Sequence, residues 1–275
     1  MVTTTSTILI TGATDGLGRA LARTLAAEGA DLILHGRDEA RLAGTAAEIS
    51  AAGGGRWPRC VRADLAELAE VRRLAAEVRD STDRLDVLVN NAGIGFGAAA
   101  GRGTSADGYE LRLAVNYLAG FLLTLELLPL LRASGPARIV NVASLGQHPL
   151  DFSDLMLERG YSGSRAYGQS KLAQIMFGFE LAARLPAGEV TANSLHPATY
   201  MPTKMVLQEI GYSIDTLAEG VDATRRLVAD PALAGTSGKF FDRTRPARAN
   251  AQAYDRQARA ELWRRSLDLT GQADI

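Results

Sequence analysis

Apolar residues fall into short runs that alternate with longer stretches carrying an apolar residue every third or fourth position. The first run, Ile8-Leu9-Ile10, has no polar face, as expected of a strand covered on both sides. Its limits are 7–11, and comparable runs at 31–35, 59–63, 85–89, 138–142, 190–195 and 239–241 predict further strands. Leu17, Leu21 and Leu25 are spaced by four, which predicts a helix over 19–28. Helical spacing recurs over 40–50, 66–80, 111–131, 166–185, 216–229 and 251–267. Strict alternation of strand and helix predicts one α/β domain over 1–275, a doubly wound parallel sheet of about seven strands with helices on both faces. Residues 199–215 are the least regular and follow a strand's carboxyl end, so a substrate lid is expected there. The helix at 251–267 closes the chain.

Composition narrows the function classes. The chain is 47% hydrophobic and 22% charged, with a formal net charge of -1. No global field attracts nucleic acid or an anionic membrane. The lone Cys60, in a short apolar stretch, reads as an inert core thiol and excludes an internal disulfide. His35, His148 and His196 lack metal-ligand spacing. No uninterrupted apolar run matches a bilayer span, and the first residues lack the basic flank of a leader. A soluble, cytoplasmic protein is expected, with a small-molecule substrate and neither a nucleic-acid nor a membrane partner.

The candidate chemistry begins directly after the first strand, at Gly12-Ala13-Thr14-Asp15-Gly16-Leu17-Gly18. Strand, glycine turn and helix is the context in which such glycines bind phosphate. Gly12 permits the tight turn, Gly16 lets backbone approach a pyrophosphate, and Gly18 lets the helix pack closely. The helix N-terminus then offers free N–H groups to an anion. At the end of the second strand stands Gly36-Arg37-Asp38. An acidic side chain there would hold a ribose 2′-hydroxyl; an arginine instead suits a 2′-phosphate, favouring NADP(H) over NAD(H). Asp38 is expected to cap the helix that follows. Tyr167 and Lys171 are four apart on a predicted helix, so phenol and ammonium share a face.

The ordered set Thr11-Gly12-x-x-x-Gly16-x-Gly18, Asp64-Leu65, Asn90-Asn91-Ala92-Gly93, Asn116, Ser144, Tyr167-x-x-x-Lys171 and His196-Pro197 resembles the short-chain dehydrogenase/reductase family, almost end to end. Ser144 and Tyr167 are 23 positions apart, longer than the family's usual gap. That gap and the tail Leu262-Trp263-Arg264-Arg265-Ser266 are similar to the retinol-dehydrogenase-like branch. Ala198 follows His196-Pro197 where the family usually has glycine.

The resemblance implies a Rossmann fold and a tetrad. Tyr167 would be the general acid in reduction and base in oxidation, with Ser144 binding the substrate oxygen. Lys171 would bind the nicotinamide ribose and lower the Tyr167 pKa, and Asn116 would hold a water. Bringing a tyrosine from about 10 to about 7 takes roughly 4 kcal/mol, and an ammonium ~4 Å away would supply about that much; burial opposes it, so Lys171 alone is marginal and the positive nicotinamide of NADP+ is expected to help. Cofactor contacts are expected from Gly12, Thr14, Asp15, Gly16, Leu17, Gly18, Arg37, Asp64, Leu65, Asn91, Ala92, Gly93, Tyr167, Lys171, Pro197 and Thr199, with Thr203 an alternative to Thr199. Phe96, Leu145, Phe152, Tyr161, Tyr200 and Met201 are expected to line an apolar substrate pocket. The implied activity is hydride transfer between NADP(H) and the carbonyl or alcohol of a bulky, mainly apolar molecule. A tailoring reaction such as C=C reduction, or a non-catalytic dinucleotide sensor, is the alternative. The long apolar helices carry the expectation of a homodimer or homotetramer.

Overall fold

The computed structural model describes residues 6–97 and 101–275. The reading of residues 1–5 as carrying no leader lies outside them. Among the described residues eight strands form one sheet: β1 (Thr7–Ile10), β2 (Asp31–Gly36), β3 (Arg59–Arg62), β4 (Val87–Asn90), β5 (Ala137–Val142), β6 (Val190–His196), β7 (Phe240–Asp242) and β8 (Arg245–Ala247). Their order is β3-β2-β1-β4-β5-β6-β7-β8. The first seven are parallel, and β8 pairs antiparallel with β7. β8 is the strand beyond those expected. It reads Arg-Pro-Ala; the proline hid it in the sequence and is tolerated because this strand lies at the sheet edge.

Side chains alternate across the sheet with the period of two that a strand imposes. Ile8 and Ile10, Leu32 and Leu34, and Val87 and Val89 face one apolar layer; Leu9, Ile33 and Leu88 face the other. The first layer is closed by α1 (Gly16–Ala27), α2 (Glu39–Ala52) and α7 (Leu217–Ala229); the second by α3 (Leu68–Ser81), α4 (Leu111–Ser134) and α5 (Gly163–Arg184). A six-residue helix, α6 (Lys204–Glu209), interrupts the expected lid, and α8 (Arg256–Thr270) covers α5. Edge strand β3 corrects the reading of Cys60. Val61 points inward and is 2% exposed, so its neighbours Cys60 and Arg62 point to solvent.

α4 is long and apolar enough to cross a bilayer by length and composition, which the charged and polar breaks in the sequence concealed; 72% of its apolar window is buried inside the fold. Its aromatic face is covered within the monomer. Trp263 of α8 sits edge-on to Phe121 at 5.3 Å and stacks on Phe177 at 6.1 Å, while the Tyr117 and Ser266 hydroxyls share a 2.6 Å hydrogen bond. This occupies part of the surface through which self-association was expected.

Candidate active site

The strand order reverses direction between β1 and β4, and the crevice outside their carboxyl ends is where open α/β sheets bind ligands. The glycine turn leaves β1 at that point. Gly12 adopts φ +65°, a left-handed conformation that strains any other residue. Gly18 lies on α1 directly over the turn, where a Cβ would come within 2.3 Å of the Gly12 carbonyl oxygen. Gly18→Ala should therefore cost about 1–3 kcal/mol of stability and weaken dinucleotide binding, measured by thermal unfolding and by titration.

The turn is fastened from both sides. The Thr11 hydroxyl donates to the Val89 carbonyl (3.2 Å) and accepts from the amides of Asn91 (2.9 Å) and Ala92 (3.0 Å). Asn91 donates back to the Thr11 carbonyl (2.8 Å) and the Gly12 carbonyl (3.2 Å). On the other side the Gly12 amide donates to His35 Nδ1 (3.2 Å), and His35 Nε2 donates to the Ala63 carbonyl (3.1 Å). Burial pushes this imidazole down to about 4, so it stays neutral in the tautomer that can serve both partners. Sequence reasoning missed His35, because a lone histidine in an apolar strand carries no signal of its partners.

At the end of β2, a Cβ on Gly36 would lie 2.5 Å from the Thr14 methyl, so any side chain there would have to displace that methyl. Asp38 caps α2 through the Arg41 amide (2.8 Å), as expected. Arg37 is exposed, and Arg41 pairs with Asp15 at 2.8 Å. Asp15 also caps α1 through the Gly16 amide (2.7 Å). Asp64 accepts from the Ala66 amide (2.9 Å) just beyond β3.

The catalytic candidates gather at the ends of β4, β5 and β6. Ser162 caps α5 through the Arg165 amide (3.2 Å), which sets Tyr167 and Lys171 on one face of its first turns. Lys171 donates to the Val142 carbonyl (2.9 Å) and to Gln174 (3.4 Å), and its Nζ lies 5.8 Å from the centre of the Tyr167 ring. Ser144 accepts from the Gly146 amide (3.0 Å). Asn116 lies in a π turn, Ala114–Leu118, inside α4. Its amide group holds both backbone groups of Ile94 (2.8 and 3.1 Å) and donates to Ser170 (3.0 Å). Gly93 lies beside it, where a Cβ would be 3.2 Å from Asn116 Oδ1 and 3.5 Å from Lys171 Nζ.

The electrostatics differ from the expected ion-lowered phenol. Burial raises the Tyr167 pKa; the Ser144 hydroxyl offsets part of this, and the negative Glu209 adds to it. Burial also pulls Lys171 down to about 8. The ammonium is committed to a backbone carbonyl, and its own charge is disfavoured where it sits. The site thus pairs a tyrosine held neutral with a lysine whose charged form burial disfavours.

Of the expected substrate contacts, Phe96 meets Tyr167 edge-on at 6.2 Å. Leu145 is 47% exposed and Tyr200 38% exposed, both at the rim. Three are engaged elsewhere. Phe152 packs on the core under the Arg265 guanidinium, 5.5 Å from its ring centre. The Tyr161 hydroxyl accepts from Arg112 (2.7 Å). Met201 packs against Gly220 and the α1–α7 layer. These residues are apolar in sequence, but the covering helices claim them. Pro197 is buried at the end of β6, and the Thr199 hydroxyl bonds His196 Nε2 (3.0 Å) and accepts from Arg243 (3.3 Å). Thr203, the alternative, rests its methyl against Gly16.

The short chain dehydrogenase family model matches residues 6–210. The chain belongs to the short-chain dehydrogenase/reductase family. Human retinol dehydrogenase 13 is 34% identical over 282 residues, spanning 96% of this chain and 84% of that protein. A Streptomyces sp. (strain C5) protein, provisionally assigned as a daunorubicin C-13 ketoreductase, is 37% identical over 273 residues, 96% of this chain and 92% of its own. Within the family the chain fits the retinol-dehydrogenase-like branch. Among solved structures, a Mycobacterium paratuberculosis protein aligns with a TM-score of 0.77 and 30% identity over 97% of this chain and 94% of its own. A provisionally assigned short-chain dehydrogenase from Escherichia coli CFT073, complexed with NADPH, aligns with a TM-score of 0.72 and 28% identity over 86% and 95%. The short-chain dehydrogenase fold here therefore belongs to an oxidoreductase that uses a nicotinamide dinucleotide.

Proposed function

We propose that the chain is an NADP(H)-dependent carbonyl reductase or alcohol dehydrogenase acting on a bulky, mainly apolar small molecule. Ser144, Tyr167 and Lys171 converge at the strand ends beside a glycine cradle that a Cβ would fill at Gly18. The dinucleotide supplies or accepts the hydride when bound. The chain's own residues do the rest. Gly12 to Gly18 hold the diphosphate against the α1 N-terminus. Asn91 holds the turn in shape, and Lys171 reaches the nicotinamide ribose. Ser144 donates to the substrate oxygen, and Tyr167 gives that oxygen its proton in reduction or removes it in oxidation.

Burial keeps the phenol in its protonated form, the form that donates in reduction. The names of the two relatives, a retinol dehydrogenase and a ketoreductase, support an apolar alcohol or ketone. Phe96, Leu145 and Tyr200 support the same class at the rim. Turnover of NADPH with a panel of apolar ketones and aldehydes, and of NADP+ with the matching alcohols, tests the reading, and no turnover with any of them overturns it.

Arg37 supports NADP(H) over NAD(H), as does the NADPH bound to the Escherichia coli neighbour. Arg37→Ala should weaken NADPH binding about tenfold and leave NADH binding unchanged, read by fluorescence titration. Equal wild-type affinity for the two dinucleotides contradicts the preference.

A further inference from the structure

We propose that Glu209 is a positioning residue: its carboxylate latches the tip of the lid to the amides of Phe96 and Gly97, closing the lid over Tyr167. The inference rests on the proposed function for what the lid encloses, but not for the latch itself.

The lid is a loop with a tied neck. At its base the Asp215 amide donates to the Thr199 carbonyl (3.0 Å) and the Ile214 amide to the Tyr200 carbonyl (3.1 Å). The Asp215 carboxylate accepts from the Thr199 amide (2.6 Å) and pairs with Arg243. The two feet are thus joined, and Tyr200 beside them takes φ +45°, an unusual conformation for a non-glycine residue. Apart from Met201, packed on the α1–α7 layer, and Thr203, whose methyl rests on Gly16, the stretch to Ile214 hangs from this neck, α6 included.

At the far end, one contact engages the post-β4 loop. Glu209 Oε2 accepts from the Phe96 amide (3.0 Å) and Oε1 from the Gly97 amide (2.9 Å). Local structure gives no reason for an anion there. Glu209 ends α6, where the helix dipole disfavours a carboxylate. The explanation is tertiary. Gly95 has no side chain, and a Cβ in its place would lie 2.2 Å from Glu209 Oε2. A glycine has left room for the carboxylate.

The same loop is held on its other edge by a different group. Arg112, itself buried, donates to the Gly95 carbonyl (2.8 Å), the Phe96 carbonyl (2.9 Å) and the Tyr161 hydroxyl (2.7 Å), with buried Glu110 as its counter-ion at 3.5 Å. The carbonyls are therefore satisfied from the core and the amides from the lid. The core half is buried. The lid half is half-buried and releasable, and an open lid returns the two amides to water. Between the halves lies Phe96, whose ring meets Tyr167. Closing the latch fixes that ring against the phenol and brings Glu209 toward it.

Amide hydrogen exchange on the full chain, without dinucleotide or substrate, tests the latch independently of the cofactor reading. Exchange at Phe96 and Gly97 should accelerate about tenfold in Glu209→Gln, which keeps the packing but turns a donor toward one amide. Gly95→Ala, which leaves the carboxylate intact but displaces it, should do the same. Gln208→Ala, on the exposed side of α6, should change nothing. For the closing role, NADPH release measured by stopped-flow fluorescence should also quicken about tenfold in Glu209→Gln. Unchanged amide exchange in Glu209→Gln overturns the latch, and faster exchange with an unchanged release rate overturns its closing of the site.

Discussion

Tyr167→Phe should lower kcat/KM for carbonyl reduction by roughly three orders of magnitude, the usual weight of a positioned general acid. NADPH affinity should change little, because the lost atom is the phenolic oxygen and not the ring that Phe96 packs against. Dinucleotide titration and steady-state kinetics on the same preparation separate these two quantities. A fully active Tyr167→Phe enzyme would sink the mechanism. The resting electrostatics add a second observable. Because burial holds the phenol above its ordinary value, reduction should remain active through neutral pH. Alcohol oxidation needs the ionised phenol and should rise with pH.

Lys171→Met should abolish useful turnover and at the same time raise the stability of the cofactor-free protein. Burial pulls the ammonium from 10.5 to about 8, a penalty of roughly 3 kcal/mol on its charged form. Methionine removes that penalty but strips the Val142 carbonyl of its donor, which costs about 1–2 kcal/mol. A net gain of about 1–2 kcal/mol remains at pH 7. The sign follows from linkage. The folded chain binds fewer protons at this site than the unfolded chain between pH 8 and 10.5, so wild-type stability climbs with pH over that range. The advantage of Lys171→Met is therefore full below pH 8, vanishes on the way up, and becomes a deficit of about 1–2 kcal/mol by pH 10.5. Denaturant unfolding at pH 7 and pH 10 reads the difference. An equal advantage at both would show that the lysine's charge is not the cause. The result would make Lys171 a residue kept for function at the expense of stability.

Much of the cofactor side was legible along the chain because it is written locally. Gly12, Gly16 and Gly18 lie within seven residues spanning the turn and the start of α1, and their spacing reports backbone geometry directly. Asp38 capped α2 where its position before the first helical residue required. Gly36 and Arg37 were adjacent and could be weighed together. Partners were not legible where they lie far off in the chain. Tyr161 and Phe152 are near the tetrad in sequence, and Arg112 and Arg265 reach them from other helices. Cys60 seemed buried because its neighbours are apolar, whereas the side-chain alternation of an edge strand turned it outward. α6 escaped notice because a helix of six residues has too few turns to show a period.

The sequence by itself determined the alternation of strands and helices, the parallel sheet, the glycine cradle and the i, i+4 pairing of Tyr167 with Lys171. Each of these depends on residues close together in the chain, where periodicity and backbone sterics act directly. Tertiary structure alone decided the protonation balance of that pair. Lys171 reached the Val142 carbonyl, and burial weakened the ammonium while it raised the phenol. It also decided that His35 would brace the turn and that Glu209 would meet the amides of Phe96 and Gly97, 113 and 112 residues away in sequence. Hydrogen bonding and desolvation depend on what surrounds a group in space, and no local pattern records which distant backbone will arrive beside it.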